Sequence, residues 1–223
     1  WGFCISENYK LLLDSKYKDN DRFKVVIKSS LNKNGKLVYG ELKIPGESKK
    51  EILISTYICH PSMANNELSG PIVSMSLINY FQNLKKNKYS LRFIFVPETI
   101  GSITFLNKNL DYLKKYLIGG YNLTSIGDEK NHSCLFSKYE NSLSDKSLLE
   151  AYKKLNIKFK KNSFLDEKKS DERQFNSPGI DLPIASISRS KLGEYKEYHT
   201  SLDNFDLVTH KGLNGGFLVV KKA

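Results

Sequence analysis

Residues 52–58 form an apolar run rich in isoleucine, and it breaks off at a polar loop beginning Cys59-His60-Pro61. A run this short, bounded by turn residues, reads as a strand buried on both faces, the usual look of a strand inside a parallel sheet. Similar runs recur at residues 91–96 and 183–188. Helical patterns lie between them. Residues 69–83 place Ile72, Val73, Met75, Leu77, Ile78 and Phe81 at helical spacing, and residues 102–117 put Phe105, Leu106, Leu110 and Leu113 on one face. Strand alternating with helix predicts an α/β domain, a mixed, mostly parallel sheet with helices on both faces.

The remaining elements are read from their punctuation. Residues 23–29 and 37–44 are strand-like, and Asn32-Lys33-Asn34-Gly35 between them predicts a hairpin. Gly119-Gly120 is expected to stop the second helix, with a short strand at 121–126 and another at 132–137. Ser144 is the expected N-cap of a helix reaching Leu155. Residues 158–169 are largely polar and expected to be exposed.

A chain of 223 residues suits one core domain, residues 1–223. It starts at Trp1 without a methionine and reads as a piece of a longer chain. No run reaches the roughly 18 apolar residues of a membrane span. Net charge is +11, yet only four of the 35 basic residues are arginine, and the lysines are dispersed. Nucleic-acid readers favour clustered, arginine-rich faces, so no nucleic-acid partner is expected. Three cysteines, Cys4, Cys59 and Cys134, without a Cys-x-x-Cys pair argue against a disulfide framework and for a reducing cytoplasm. Cys59 is expected to be a small core residue.

The chemistry-bearing residues cluster just past the expected strands, the edge where open α/β sheets bind ligands. His60 follows the first run, with Glu67 at the entry to the next helix. Glu98 follows residues 91–96, and a carboxylate there is costly unless it is paired or used. Ser170-Asp171-Glu172-Arg173 and Glu194-Tyr195-Lys196-Glu197-Tyr198-His199 are the later polar clusters. Glu197 or Asp203 could orient a metal-bound His199. Each cluster also has a plain structural reading: helix capping for Glu67, a helix-entry acid for Glu98, a solvated loop for residues 170–175. A phosphate-cradling glycine loop, Gly-x-Ser-x-Gly and His-Glu-x-x-His are all absent from the sequence.

Four segments in order, Ile58 to Gly70, Pro97-Glu98-Thr99-Ile100-Gly101-Ser102, Ser170 to Phe175 and Glu194 to Asp203, resemble the bacterial aminopeptidase-like domain proteins often associated with surface polysaccharide biosynthesis. These are distant relatives of the two-zinc aminopeptidases. The resemblance covers nearly the whole chain and implies a three-layer α/β/α, zinc-peptidase-like fold within a longer protein. It implies His60 and His199 as metal ligands and Glu98 as the general base. It also implies three carboxylate ligands, and at those positions this chain has Asn66, Thr99 and Thr124.

Two adjacent dications need several anions, so one zinc is expected rather than two. His60, His199 and a carboxylate would hold it, with Asp171 and Glu67 first in line and Asp128 third. Arg173, Tyr195, Tyr198 and Asp128 are the candidate substrate contacts. Two classes of function stay open. One is an amide hydrolase acting on a small peptide or an N-acylated precursor. The other is a non-catalytic binding module of a glycan-assembly protein.

Overall fold

The computed structural model describes residues 5–223, so Cys4 lies outside the described residues. The chain divides after Leu37 into two units. In the first, helix α1 (Glu7–Lys16) starts at Ser6, whose hydroxyl accepts the Tyr9 amide at 3.2 Å, and none of its residues is buried.

The second unit, Val38–Ala223, carries the core. Its strands are β1 (Gly40–Ile44), β2 (Ser48–Tyr57), β3 (Tyr89–Val96), β4 (Leu117–Leu123), β5 (Ser133–Leu135), β6 (Lys160–Asn162) and β7 (Ile184–Ser188). Among the described residues they make one sheet in the order β1-β3-β2-β4-β7-β5-β6. The pairings β2–β3, β2–β4, β4–β7 and β5–β6 are parallel, and β1–β3 and β5–β7 are antiparallel. The sheet is therefore mixed and mostly parallel, as the sequence pattern predicts.

The helices are α2 (Ser69–Gln82), α3 (Ile100–Tyr116), α4 (Leu143–Lys154), α5 (Phe164–Glu167), α6 (Glu172–Phe175) and α7 (His210–Lys222). Neighbouring strand residues point to opposite faces. Ile54, Phe93 and Ala185 pack with Val73 and Leu77 of α2, Leu148 of α4 and Val219 of α7. Leu53, Ile94 and Ile184 pack with Phe105 and Leu113 of α3 and Phe175 of α6. Two cores on one sheet give the three α/β/α layers. Because β2, β3, β4 and β7 run parallel, their C-terminal ends share one edge of the sheet.

Several local expectations are corrected. The hairpin does not form. Its turn exists, with the Asn34 amide donating to Asn32 Oδ1 at 2.9 Å, but residues 23–29 carry no strand and Val26 and Ile27 are exposed. Strand propensity needs a partner and a face to bury. The second run finds both in β3, starting only at Gly40. Gly119-Gly120 does not end a helix but lies inside β4, with α3 already closed at Tyr116. A Cβ at Gly120 would stand 2.3 Å from the Leu53 carbonyl oxygen, so glycine is there for strand-to-strand approach. The N-cap of α4 is Ser142, not Ser144, in a capping box with Asp145. Ser144 instead donates to the Pro183 carbonyl at 2.6 Å. Residues 158–169 are not uniformly exposed: they form β6 and α5 and bury Asn162 and Phe164.

Candidate functional site

The site begins where β2 runs out. The Ile58 amide still donates to the Val96 carbonyl at 3.0 Å, and then the chain turns away from the sheet. A single π-helical turn, Ala64–Leu68, leads into α2. Its free amides are capped from a distance: Asp203 accepts the Asn65 amide at 2.6 Å and the Asn66 amide at 2.9 Å. Asn65, fully buried, accepts the Gly127 amide at 2.8 Å and donates to Asp128 at 3.0 Å, tying this turn to the loop after β4. At the start of α2, a Cβ on Gly70 would stand 2.3 Å from Thr56 Oγ1 and 2.7 Å from the Leu123 carbonyl oxygen. Only glycine lets the helix sit this close to the strand ends.

Glu67 reaches back from the turn. Its Oε2 accepts the amides of Cys59, at 2.9 Å, and His60. The same oxygen stands 3.5 Å from His60 Nδ1, while Glu98 Oε2 stands 3.7 Å from His60 Nε2. The His199 ring lies 5.5 Å from the His60 ring, centroid to centroid, and stacks on Tyr198 at 4.0 Å. His60, Glu67, Glu98, Tyr198 and His199 therefore meet at the C-terminal edge of the sheet, although 139 positions separate the two histidines (199 − 60).

Glu98 is held by residues that the sequence flagged only as a polar run. Ser170 Oγ donates to Glu98 Oε1 at 2.8 Å. Ser170 is in turn fixed by Glu172, which accepts the Lys169 and Ser170 amides on Oε1 and Asn122 Nδ2 and Ser186 Oγ on Oε2. Thr99, next to Glu98, has φ +66°, a left-handed conformation strained for a β-branched residue by on the order of 1–3 kcal/mol. Asp171 Oδ1 holds it there, accepting the Thr99 amide at 2.8 Å and Ser102 Oγ at 2.7 Å.

Asp171 is fully buried, and its Oδ2 has no hydrogen-bond partner among the described residues. Burial, with Glu98 and Glu172 nearby, pushes its pKa up to about 7. A carboxyl whose folded pKa is raised binds its proton more tightly folded than unfolded. Its stabilising contribution is thus greatest in acid and falls as pH rises to about 7. Asp171→Asn, which keeps the shape without the charge, should gain on the wild type by on the order of 2–3 kcal/mol between about pH 5 and pH 8. Urea melts at both pH values measure this, and a gap that does not change with pH contradicts it.

The other candidates separate. Asp128 is fully buried with both oxygens occupied, by Asn65 Nδ2, the Lys130 and Ser190 amides and Ser190 Oγ. That removes it from the substrate contacts. Glu197 pairs with Lys130 at 2.6 Å and Asp203 caps the π-helical turn, so neither hydrogen-bonds His199. Tyr195 is buried, its hydroxyl 3.0 Å from Ser125 Oγ. Arg173 is exposed, with no ion pair among the described residues. Cys59 is not a core residue: it is exposed in the loop, because the strand ends before it. Partial desolvation of its sulfur and the Glu67, Glu98 and Asp171 carboxylates raise the thiol pKa, which disfavours a nucleophilic thiolate.

The neutral residues also have partners. Asn66 Nδ2 donates to the Tyr57 hydroxyl at 2.8 Å, and Tyr57 hydrogen-bonds Thr124 Oγ1. Both positions are closed on a buried phenol instead of presenting carboxylates. The donor set does not fit a pair of dications. It fits one: imidazole, carboxylate and thiol donors from His60, Glu67 and Cys59 lie within 4.8 Å of one another. A groove of about 650 Å³ lined by Ile103, Leu106, Tyr112 and Ile180 runs along α3, and none of His60, Glu67, Glu98 or His199 lines it.

A family model described as "Domain of unknown function (DUF4910)" matches residues 19–223. A Clostridium acetobutylicum protein, provisionally named a polysaccharide biosynthesis protein with aminopeptidase-like domain, is 41% identical over 214 residues, 96% of this chain and 47% of its own length. A crystal structure of a provisionally named peptidase from the same organism matches with a TM-score of 0.78 at 39% identity, over 82% of this chain and 43% of that one. The zinc aminopeptidase BSAP of Bacillus subtilis matches with a TM-score of 0.70 at 15% identity, over 82% and 48% of the two chains. That last likeness shows a shared fold. The chain spans about half the length of these relatives.

Proposed function

We propose that this chain, which belongs to the DUF4910 family, is the core of a metal-dependent amide hydrolase with an aminopeptidase-like fold and a single zinc ion. The observation that carries the reading is the meeting of His60 and His199 with two carboxylates, Glu67 and Glu98, around one imidazole. His60 would hold the ion, with Glu67 as the supporting carboxylate and His199, its ring 5.5 Å away, as a second imidazole. Asp171, committed to Thr99 and Ser102, fits better as the residue that fixes the loop carrying Glu98.

A zinc ion there supplies polarisation of the scissile carbonyl and acidifies a bound water. The protein's share of the chemistry rests on Glu98. Ser170 occupies Oε1 and leaves Oε2 to take the proton of the attacking water and return it to the leaving amine. Tyr198, half-buried and stacked on His199, flanks the substrate. The substrate is a small peptide or an N-acylated precursor, and the relative's name suggests surface polysaccharide assembly as its setting. Unpaired Cys59 and Cys134 fit a reducing, cytoplasmic compartment.

A second reading has its own support. Asn66 and Thr124, closed on Tyr57, favour a binding module that has lost its metals. Element analysis of the chain purified without chelator separates the two. About one zinc per chain is expected for the hydrolase; no bound metal would leave the binding module.

A further inference from the structure

We infer that Cys59 is a ligand of that ion, so that a thiolate, an imidazole and a carboxylate from one loop form the metal site. The inference rests on the single-metal reading above and extends it to a residue with no role there.

Cys59 Sγ lies 3.4 Å from His60 Nδ1, and Glu67 Oε2 lies 3.5 Å from the same nitrogen. Around a tetrahedral zinc, with sulfur at about 2.3 Å, nitrogen at about 2.0 Å and oxygen at about 2.1 Å, the sulfur–nitrogen edge is about 3.5 Å and the nitrogen–oxygen edge about 3.4 Å. Two edges of such a tetrahedron therefore already have the right length, and the third pair, Cys59 sulfur and Glu67 oxygen, lies within 4.8 Å. Two backbone features keep them there. Glu67 accepts the amides of Cys59 and His60, which locks the loop around its own carboxylate. The Glu98 amide donates to Cys59 Sγ at 3.1 Å, the kind of hydrogen bond that supports a metal-bound sulfur. With Cys59 in the set, His199, its ring 5.5 Å from that of His60, is no longer needed as a ligand, and three protein ligands with a fourth position open is the pattern of a catalytic zinc. As the sulfur–metal bond forms, the thiol releases its proton to solvent.

Coordination through Nδ1 leaves His60 Nε2 facing Glu98 Oε2 at 3.7 Å. Glu98 then stays outside the ligand set. The thiolate also sets the choice of metal: sulfur favours zinc and cobalt over magnesium, calcium or manganese.

Cobalt(II) reports directly on sulfur, because a cobalt–thiolate bond adds a charge-transfer absorption in the near ultraviolet that nitrogen and oxygen ligands do not give. The full chain, stripped with chelator and titrated with cobalt, should develop this band. Cys59→Ser should lose the band, and its cobalt affinity should fall by more than the roughly 10–100-fold cost of losing an outer-shell partner. Cys134→Ser, altering a buried thiol elsewhere, should keep the band. A second readout needs no variant: zinc should protect Cys59 of the wild type from alkylation, as read by peptide mass. Cobalt bound without the band, or Cys59 alkylated equally fast with and without zinc, would overturn the inference and leave a His60-centred metal intact. A chain that binds no cobalt would overturn both.

Discussion

Replacing Arg92 with methionine should cost the domain about 3–5 kcal/mol, the usual result of removing one partner from a buried ion pair. Glu51, at the far end of β2 from the candidate site, is fully buried. Arg92 on β3 donates to both of its oxygens, at 2.8 and 3.3 Å, and pairs with Glu41 on β1 as well. Lys43 adds an ion pair at 2.9 Å and Tyr112 a hydrogen bond at 3.2 Å. Burial alone would raise the Glu51 pKa, but the Arg92 and Lys43 contacts outweigh it and hold the carboxyl below its ordinary value. A depressed carboxylate pKa contributes stability that is present above the unfolded value and lost as pH falls through the folded one. Arg92→Met should therefore be least stable relative to wild type near neutral pH, with the difference shrinking in acid. Since Lys43 remains, the loss belongs toward the lower end of the range. Adding Glu51→Gln should recover part of it, because the unpaired charge is then gone. Urea denaturation of the two variants measures this. A loss below about 1 kcal/mol at neutral pH, typical of an exposed pair, would show that water reaches Glu51.

The central strands were legible because both of their faces are buried. Leu53 and Ile54 point into different cores, as do Ile94 and Phe93, so each strand reads as a continuous apolar run. Gly119 and Gly120 misled because a glycine needed for close approach looks, in sequence, like one that ends a helix. The hairpin misled because residues 23–29 have the composition of a strand without a partner, and composition does not reveal pairing. His60 and Glu98 stood out because each follows a buried strand, where a polar residue is conspicuous. The groups around them did not. Ser170 reaches Glu98 across 72 positions, and Asp128 is closed by Ser190 across 62, distances at which no local pattern speaks. Cys59 was hidden because a free cysteine next to an apolar run has the look of a core residue, whereas the chain turns there and exposes it.

Glu98→Gln should lower amide hydrolysis by roughly 10²–10⁴-fold, the range of a lost general base. The amide keeps the side chain's shape and can still accept the hydrogen bond from Ser170. It cannot take a proton from water. If Glu98 is instead a metal ligand, the same substitution would remove the ion along with the activity, so rate alone does not distinguish the two roles.

The metal content of three proteins, wild type, His60→Ala and Glu98→Gln, purified side by side and analysed by inductively coupled plasma mass spectrometry, distinguishes them most directly. His60 has one ring nitrogen toward Glu67 and Cys59 and the other toward Glu98, so the site has no centre without it. Wild type and Glu98→Gln should each hold about one zinc per chain, and His60→Ala essentially none. Zinc retained by His60→Ala, or lost from Glu98→Gln alone, would contradict a single-metal site centred on His60 with Glu98 as its base.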